Sequence, residues 1–343
     1  MKFRLKPLQQ QVIVITGATS GIGLATARTA ARRGASLALA ARNGDALAQL
    51  EQEFGGDAVA TVVADVGQID DVARIAAKAL ARFGHIDTWI NNAGVSVFGQ
   101  LEQVHPEDHR RLFDTNFWGV VNGSLEAVKH LKARGGALIN LGSEVSDRAV
   151  PLQGMYSASK HAVKGFTDAL RMELEHEKAP VSVTLVKPAA IDTLFTVHAR
   201  NYMEREPALP PPIYAPELAA KAILFAAEHP KRDVFVGGAA KAVSLGGFHM
   251  PALMDKYMSA TMFKQQQGEQ PSVRARSDAL HQSDPAQTLR ERLGSTPKVA
   301  ESAPYTALSL RSKPLLLALL SGGAAYAAWR MHARGKQSAL AVL

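Results

Sequence analysis

Residues 11–16 (QVIVIT) form an unbroken apolar, largely β-branched run, followed at once by GATSGIG (17–23) and by LATARTAARRG, which ends at Gly34. The run predicts a strand buried on both faces, and the alanine-rich stretch predicts a helix. A glycine-rich turn between them sets backbone N–H groups and a helix N-terminus against a pyrophosphate, and the missing side chains allow close approach. Gly17, Thr19, Ser20, Gly21, Ile22 and Gly23 are therefore the candidate phosphate-binding loop. A chain that begins this way is committed to a parallel sheet with helical crossovers.

The alternation continues. Strands are expected at 36–41, 59–64, 86–90, 137–141, 181–186 and 233–236, with helices near 44–54, 68–83, 106–133, after Tyr156, and at 216–228. Seven strands alternating with helices imply an α/β fold, a doubly wound seven-stranded parallel sheet of the Rossmann type. Ligands of such a sheet bind at the carboxyl ends of its strands. The second strand ends in Ala41 followed by Arg42. An acidic residue there would bond the adenosine ribose 2′-hydroxyl, whereas an arginine accommodates a 2′-phosphate. NADP(H) is the expected cofactor.

Tyr156 and Lys160 are four residues apart in a stretch that reads as an amphipathic helix, so they share one face. An ammonium beside a phenol favours the phenolate and moves the tyrosine toward general acid/base work at neutral pH. Ser143 follows the strand at 137–141, on the rim where ligands bind, and its hydroxyl suits polarising a carbonyl oxygen. Ser146 is either a second polar group there or a turn residue.

These residues resemble the short-chain dehydrogenase/reductase family over about residues 8–250. TGATSGIG (16–23) is similar to its cofactor fingerprint, Asp65-Val66 to its adenine-contacting pair, and Asn92-Ala93-Gly94, after Asn91, to the close of its fourth strand. Asn116, Ser143, Tyr156 and Lys160 fall at the spacing of its catalytic tetrad. Pro188–Thr193 (PAAIDT) resembles the segment beside the nicotinamide, with Ala189 where glycine is commoner, and puts Pro188, Ile191 and Thr193 at the cofactor. The resemblance implies hydride transfer between nicotinamide and a carbonyl or secondary alcohol. It further implies that Lys160 bonds the nicotinamide ribose and that Asn116 holds a water linking Lys160 to solvent. It also implies a homodimer or homotetramer, built on the helices of Asn116 and Tyr156, with Ala158, Ala162, Phe166, Ala169 and Leu170 at the contact. The alternative is a non-catalytic NADP(H)-binding scaffold or sensor placed by its C-terminal tail.

The chain has 343 residues, no cysteine and a formal charge of +8. Disulfide and thiolate chemistry are excluded, and a reducing, cytoplasmic setting is expected. The charge is concentrated late, since residues 264–343 hold 11 Lys and Arg against 5 Asp and Glu. The main domain lacks the basic, aromatic-interleaved face of a nucleic-acid binder. The short apolar run near the N-terminus is too brief for a signal peptide core. His105 and His109 flank what reads as a helix first turn, so no metal is expected, and Arg110-Arg111 reads as a solvated helix face. Residues 189–215, with Leu194, Phe195, Tyr202 and PALPPPIY, are too long for a plain connection and suggest a substrate-binding lid.

The organisation expected is a catalytic domain at 1–263, a polar linker at 264–313, and an apolar, basic-flanked segment at 314–343. Within the last, Leu315–Trp329 is uncharged. Fifteen helical residues span about 23 Å against a hydrocarbon core of about 30 Å. The stretch either enters or lies on a membrane through 314–334 or docks on protein. On this reading the tail locates the protein and takes no part in catalysis.

Overall fold

A computed structural model describes residues 4–273, 277–283, 289–294 and 298–311. The chain divides into two units, Met1–Thr306 and Ala307–Leu343. Leu315–Trp329, the candidate membrane segment, lies outside the described residues. No helix among the described residues is long and apolar enough to cross a membrane.

The first unit is built on a seven-stranded parallel sheet: β1 (Val12–Thr16), β2 (Ser36–Ala41), β3 (Val59–Val63), β4 (Thr88–Asn91), β5 (Gly136–Leu141), β6 (Val181–Pro188) and β7 (Asp233–Val236), in the order β7-β6-β5-β4-β1-β2-β3. The strand order reverses at β1, with β2 on one side and β4 on the other. The crevice above the carboxyl ends of β1 and β4 is thus the place where such sheets bind ligands.

β1 is buried along its whole length because both faces of the sheet are covered. Successive side chains point to opposite faces. Val14 joins Ala38, Val62, Trp89 and Leu138 in a core covered by helices α3 (Ile69–Phe83), α5 (Gly119–Arg134) and α6 (Gly154–His176). On the other side α1 (Gly21–Arg32) packs against α7 (Pro216–Glu228). Helix α2 (Gly44–Phe54) starts on Asn43, whose side chain accepts from the Ala46 N–H at 3.0 Å.

The helix expected near 106–133 is divided. Helix α4 (Pro106–Phe113) passes into a π-helical turn, Asp114–Trp118, before α5 resumes, and Asn116 sits in that turn. Such wide turns recur at functional sites because they re-aim a side chain without ending the helix.

The region after β7 differs most from expectation. Helices α8 (Gly238–His249) and α9 (Pro251–Gln265) follow the sheet. The stretch expected to be a flexible linker is held to the domain in its described parts. Gln267–Pro271 pairs antiparallel with Arg205–Pro207, and Val299–Ala300 pairs parallel with Ile213–Tyr214. Main-chain ladders need no apolar periodicity, so a polar sequence gives little warning of them.

Candidate active site

A cavity of about 550 Å³ opens above the strand ends. Apart from Gly23 and Asn116, every residue singled out above for catalysis or cofactor binding lines it, Arg42 and Thr193 included.

Its floor is the glycine loop, fixed by packing that admits no side chain. A Cβ on Gly23 would lie 2.1 Å from the Gly17 carbonyl oxygen, and one on Gly17 would meet Ala93 Cα at 2.8 Å, with Gly17 itself at φ +65°. Asn92 ties the loop to β4, its Nδ2 donating to the carbonyls of Thr16 and Gly17, both at 3.0 Å. Gly23 therefore holds the loop closed, while Gly17, Thr19, Ser20, Gly21 and Ile22 face the space. A glycine loop at the head of a twelve-residue helix has the donors and the dipole that phosphate oxygens require.

Ser143, Tyr156 and Lys160 meet at one end. Ser143 caps a short 3₁₀ turn, Glu144–Ser146, and its Oγ accepts from the Val145 N–H at 3.3 Å. Ser146 completes a capping box, its Oγ accepting from the Ser143 N–H at 3.1 Å. Ser146 is thus a turn residue that orients Ser143. The Ser143 hydroxyl also bonds the phenol of Tyr156. The Phe195 ring sits edge-on to Tyr156, with centroids 5.3 Å apart.

Lys160 departs from the simplest expectation. Its ammonium lies 5.8 Å from the Tyr156 ring centroid and donates to the Leu141 carbonyl at 2.8 Å. Burial pushes the lysine down to about 8 and pushes the phenol up. The Ser143 hydrogen bond draws the phenol back down and the neighbouring Glu144 raises it further. Helical spacing puts the pair on one face, but desolvation dominates both groups here.

Asn116 has both ends of its amide bonded, accepting from Val95 N–H at 2.8 Å and donating to Val95 O at 2.9 Å. A Cβ built on Gly94 would lie 3.4 Å from Asn116 Oδ1 and 3.9 Å from Lys160 Nζ, so glycine leaves a gap that both groups border.

Several contributors escaped sequence reasoning. Glu144 lines the cavity beside Tyr156, and burial lifts its carboxyl to about 7. Met254, Tyr257, Met258 and Met262 of α9 make the far wall apolar. Gln266, buried, donates from Nε2 to Pro151 O at 2.8 Å, and its Oε1 has no partner among the described residues. Arg111, expected on a solvated face, instead pairs with Asp65 at 2.5 Å. Ala279 and Ser283, from the supposed linker, line the same cavity. The lid at 189–215 is pinned at its base, where Asp192 N–H donates to Tyr214 O and Tyr214 N–H to Ala190 O, both at 2.9 Å.

His109 Nε2 contacts Leu101 O at 3.3 Å, and His105 packs its ring on Tyr202. Among the described residues no group of three or more His, Cys, Asp or Glu is placed to hold a metal.

Residues 11–204 match the family model described as short chain dehydrogenase. The uncharacterized oxidoreductase YxnA of Bacillus subtilis strain 168 is 51% identical over 286 residues, covering 82% of this chain and 80% of that protein. That likeness extends well beyond the segment matched by the family model. Among solved structures, a short chain dehydrogenase/reductase from Burkholderia phymatum, in complex with NAD, superposes with a TM-score of 0.65 at 26% identity, covering 73% of this chain and 97% of that one. A short chain dehydrogenase from Burkholderia cenocepacia J2315, in complex with NADP, gives 0.62 at 29% identity, covering 74% and 99%. The chain belongs to the short-chain dehydrogenase/reductase family and is an oxidoreductase of that family.

Proposed function

We propose that this protein is an NADP(H)-dependent oxidoreductase that interconverts a ketone or aldehyde and an alcohol. The observation that carries the reading is the meeting of Ser143, Tyr156 and Lys160 in the cavity floored by the glycine loop. A dinucleotide fits the residues present. The loop supplies donors for phosphate, and Thr115 Oγ1, buried at the cavity wall, has no partner among the described residues and suits a polar edge of the adenosine. Similar chains are seen with NAD and with NADP. NADP(H) is favoured because β2 ends in Ala41 and Arg42, with a guanidinium where an acidic residue would bond the ribose 2′-hydroxyl, and the nearby Asp65 and Asp278 are paired with Arg111 and Arg200.

When bound, the nicotinamide supplies or accepts a hydride. Ser143 donates a hydrogen bond to the substrate oxygen. Tyr156, kept protonated by burial, gives that oxygen its proton on reduction and takes one on oxidation. Lys160 is close enough to lower the cost of the transient phenolate and has protons for the nicotinamide ribose. The gap at Gly94 takes a water between Asn116 and Lys160 that returns the proton.

Met254, Met258, Met262, Phe195 and Leu209 give the substrate pocket an apolar character. The substrate is a carbonyl or alcohol on a bulky apolar body, with a hydrogen-bond donor that can meet Gln266. Oxidation of NADPH followed at 340 nm across a panel of such carbonyls tests the reading. Turnover with bulky apolar members supports it, and tight NADPH binding with no turnover of any member would mark a sensor.

A second copy of the chain is the expected partner. Ala158, Gly165 and Ala169 of α6 are exposed, and Trp118 and Met172 are 51% and 62% exposed, which leaves an apolar strip uncovered. Leu170, expected on that strip, instead belongs to the subunit's own core. Light scattering at micromolar concentration should give at least a dimer, and a monomer would refute the assembly. The basic-flanked stretch 314–334 keeps its reading as a membrane contact, which flotation with anionic liposomes checks.

A further inference from the structure

Beyond the family segment, the chain returns to the cleft at two places. At the first, Asp278–Ser283, the carbonyls of Ala279, Leu280 and His281 all accept from the Arg42 guanidinium, the last two at 3.1 and 3.2 Å. Leu280 O also accepts from Arg111 Nε at 3.0 Å, and Arg111 in turn holds Asp65. The Leu280 side chain is fully buried in a cluster with Val95, Val97, Val104 and Leu112. The Asp278–Arg200 ion pair at 2.8 Å and a hydrogen bond between His281 Nε2 and the buried Asp108 at 2.6 Å fasten the stretch.

At the second place, Arg290 O accepts from the Gly21 N–H, at the head of α1, at 3.0 Å. Glu291 pairs with Arg28 at 3.0 Å, and Arg292 with Glu217 at 2.8 Å. A helix start has four unpaired N–H groups. Arg290 engages that of Gly21, while Ile22, the next residue, faces the cavity.

The bonding of Arg42 is selective. Its Nη1 reaches Leu280 and His281 and its Nη2 reaches Ala279, while Nε–H and one Nη2–H take part in none of these bonds. The Nε–H is one of the donors an arginine offers to a phosphate oxygen. An unheld arginine would lose rotamer freedom on meeting a ligand. Three carbonyls have already ordered this one.

We propose that Ala279–Ser283 and the Arg290 contact complete the dinucleotide cleft. The first positions Arg42 for the adenosine end, and the second flanks the phosphate loop, so the C-terminal segment is a binding and specificity element of the cofactor site. This rests on the dinucleotide reading above, and its NADP(H) part rests on Arg42.

The test is direct titration of the full chain with NADPH and with NADH, read by calorimetry, in wild type, Leu280→Ala and Arg42→Ala. Leu280→Ala removes the anchor and should weaken NADPH roughly tenfold, the equivalent of ~1.4 kcal/mol, with a smaller loss for NADH. Tryptic cleavage after Arg290 and Arg292 in the wild type should slow when NADPH is added, a readout that survives if the variant fails to fold. Unchanged or tighter dinucleotide binding by folded Leu280→Ala, or faster cleavage with NADPH, would overturn the proposal. If Arg42→Ala leaves the NADPH-to-NADH ratio unchanged while Leu280→Ala weakens both, the NADP(H) assignment fails and the tail's part in the cleft stands.

Discussion

At the end of the cleft proposed for catalysis, Ser143, Tyr156 and Lys160 come from one continuous stretch, ordered by a capped turn and a helix. At the end proposed for the adenosine, Arg42, Asp65, Arg111 and Ala279–His281 come from four separate parts of the chain and hold one another by ion pairs and main-chain carbonyls. At the first end burial alone moves Lys160 and Glu144 toward neutrality. The second is partly exposed, with charge balanced between arginines and carboxylates. Local geometry thus sets the chemistry, whereas long-range contacts set what is held beside it.

Substitutions at the two ends should therefore fail in different ways. Lys160→Ala should cut kcat by about 10²-fold or more and also weaken the dinucleotide, because the ammonium serves both proton and ribose. A loss confined to one of the two, by steady-state kinetics and titration, would separate those roles. Arg42→Asp reverses the charge facing a 2′-phosphate and should raise the NADPH Kd by about 10²-fold while changing that of NADH only a few-fold. Equal losses would mean that Arg42 does not face the phosphate.

Glu144 gives the smallest effect, on stability. Its carboxyl keeps its proton in the folded protein up to about 7, against an ordinary 4.5. The folded state thus binds more protons than the unfolded between these values, and stability falls as pH rises from 4.5 through 7. Lys160 acts oppositely, its lowered value of about 8 against 10.5 restoring stability as pH rises across that interval. Glu144→Gln should remove the loss between pH 4.5 and 7 and raise Tm at pH 8. A Tm profile unchanged from wild type would place Glu144 in solvent.

The sheet was legible in the sequence because buried parallel strands are continuous apolar runs, as at Val12–Thr16 and Val181–Val186, and each is bounded by helical periodicity. That Ser143, Tyr156 and Lys160 share one cavity was legible for a related reason: their spacing maps directly onto a strand end and one helix face. Ser146 could not be settled, since a capping box and a pocket hydroxyl look the same in sequence. The i, i+4 spacing of Tyr156 and Lys160 reports their proximity but carries no information on desolvation, which raises the phenol and lowers the lysine. Least legible was the tail. Its apolar contact at Ala279–Ser283 is one leucine, Leu280, its main-chain carbonyls reach Arg42, and its ion pairs join residues far apart in the chain, so neither periodicity nor local charge pattern marked it.

The most direct test is Tyr156→Phe, which deletes one hydroxyl from the apolar contact with Phe195. The account predicts NADPH binding within a few-fold of wild type and carbonyl reduction reduced by about 10²- to 10⁴-fold. Near-normal turnover by the folded Tyr156→Phe variant would contradict it and move the proton donor elsewhere in the cavity.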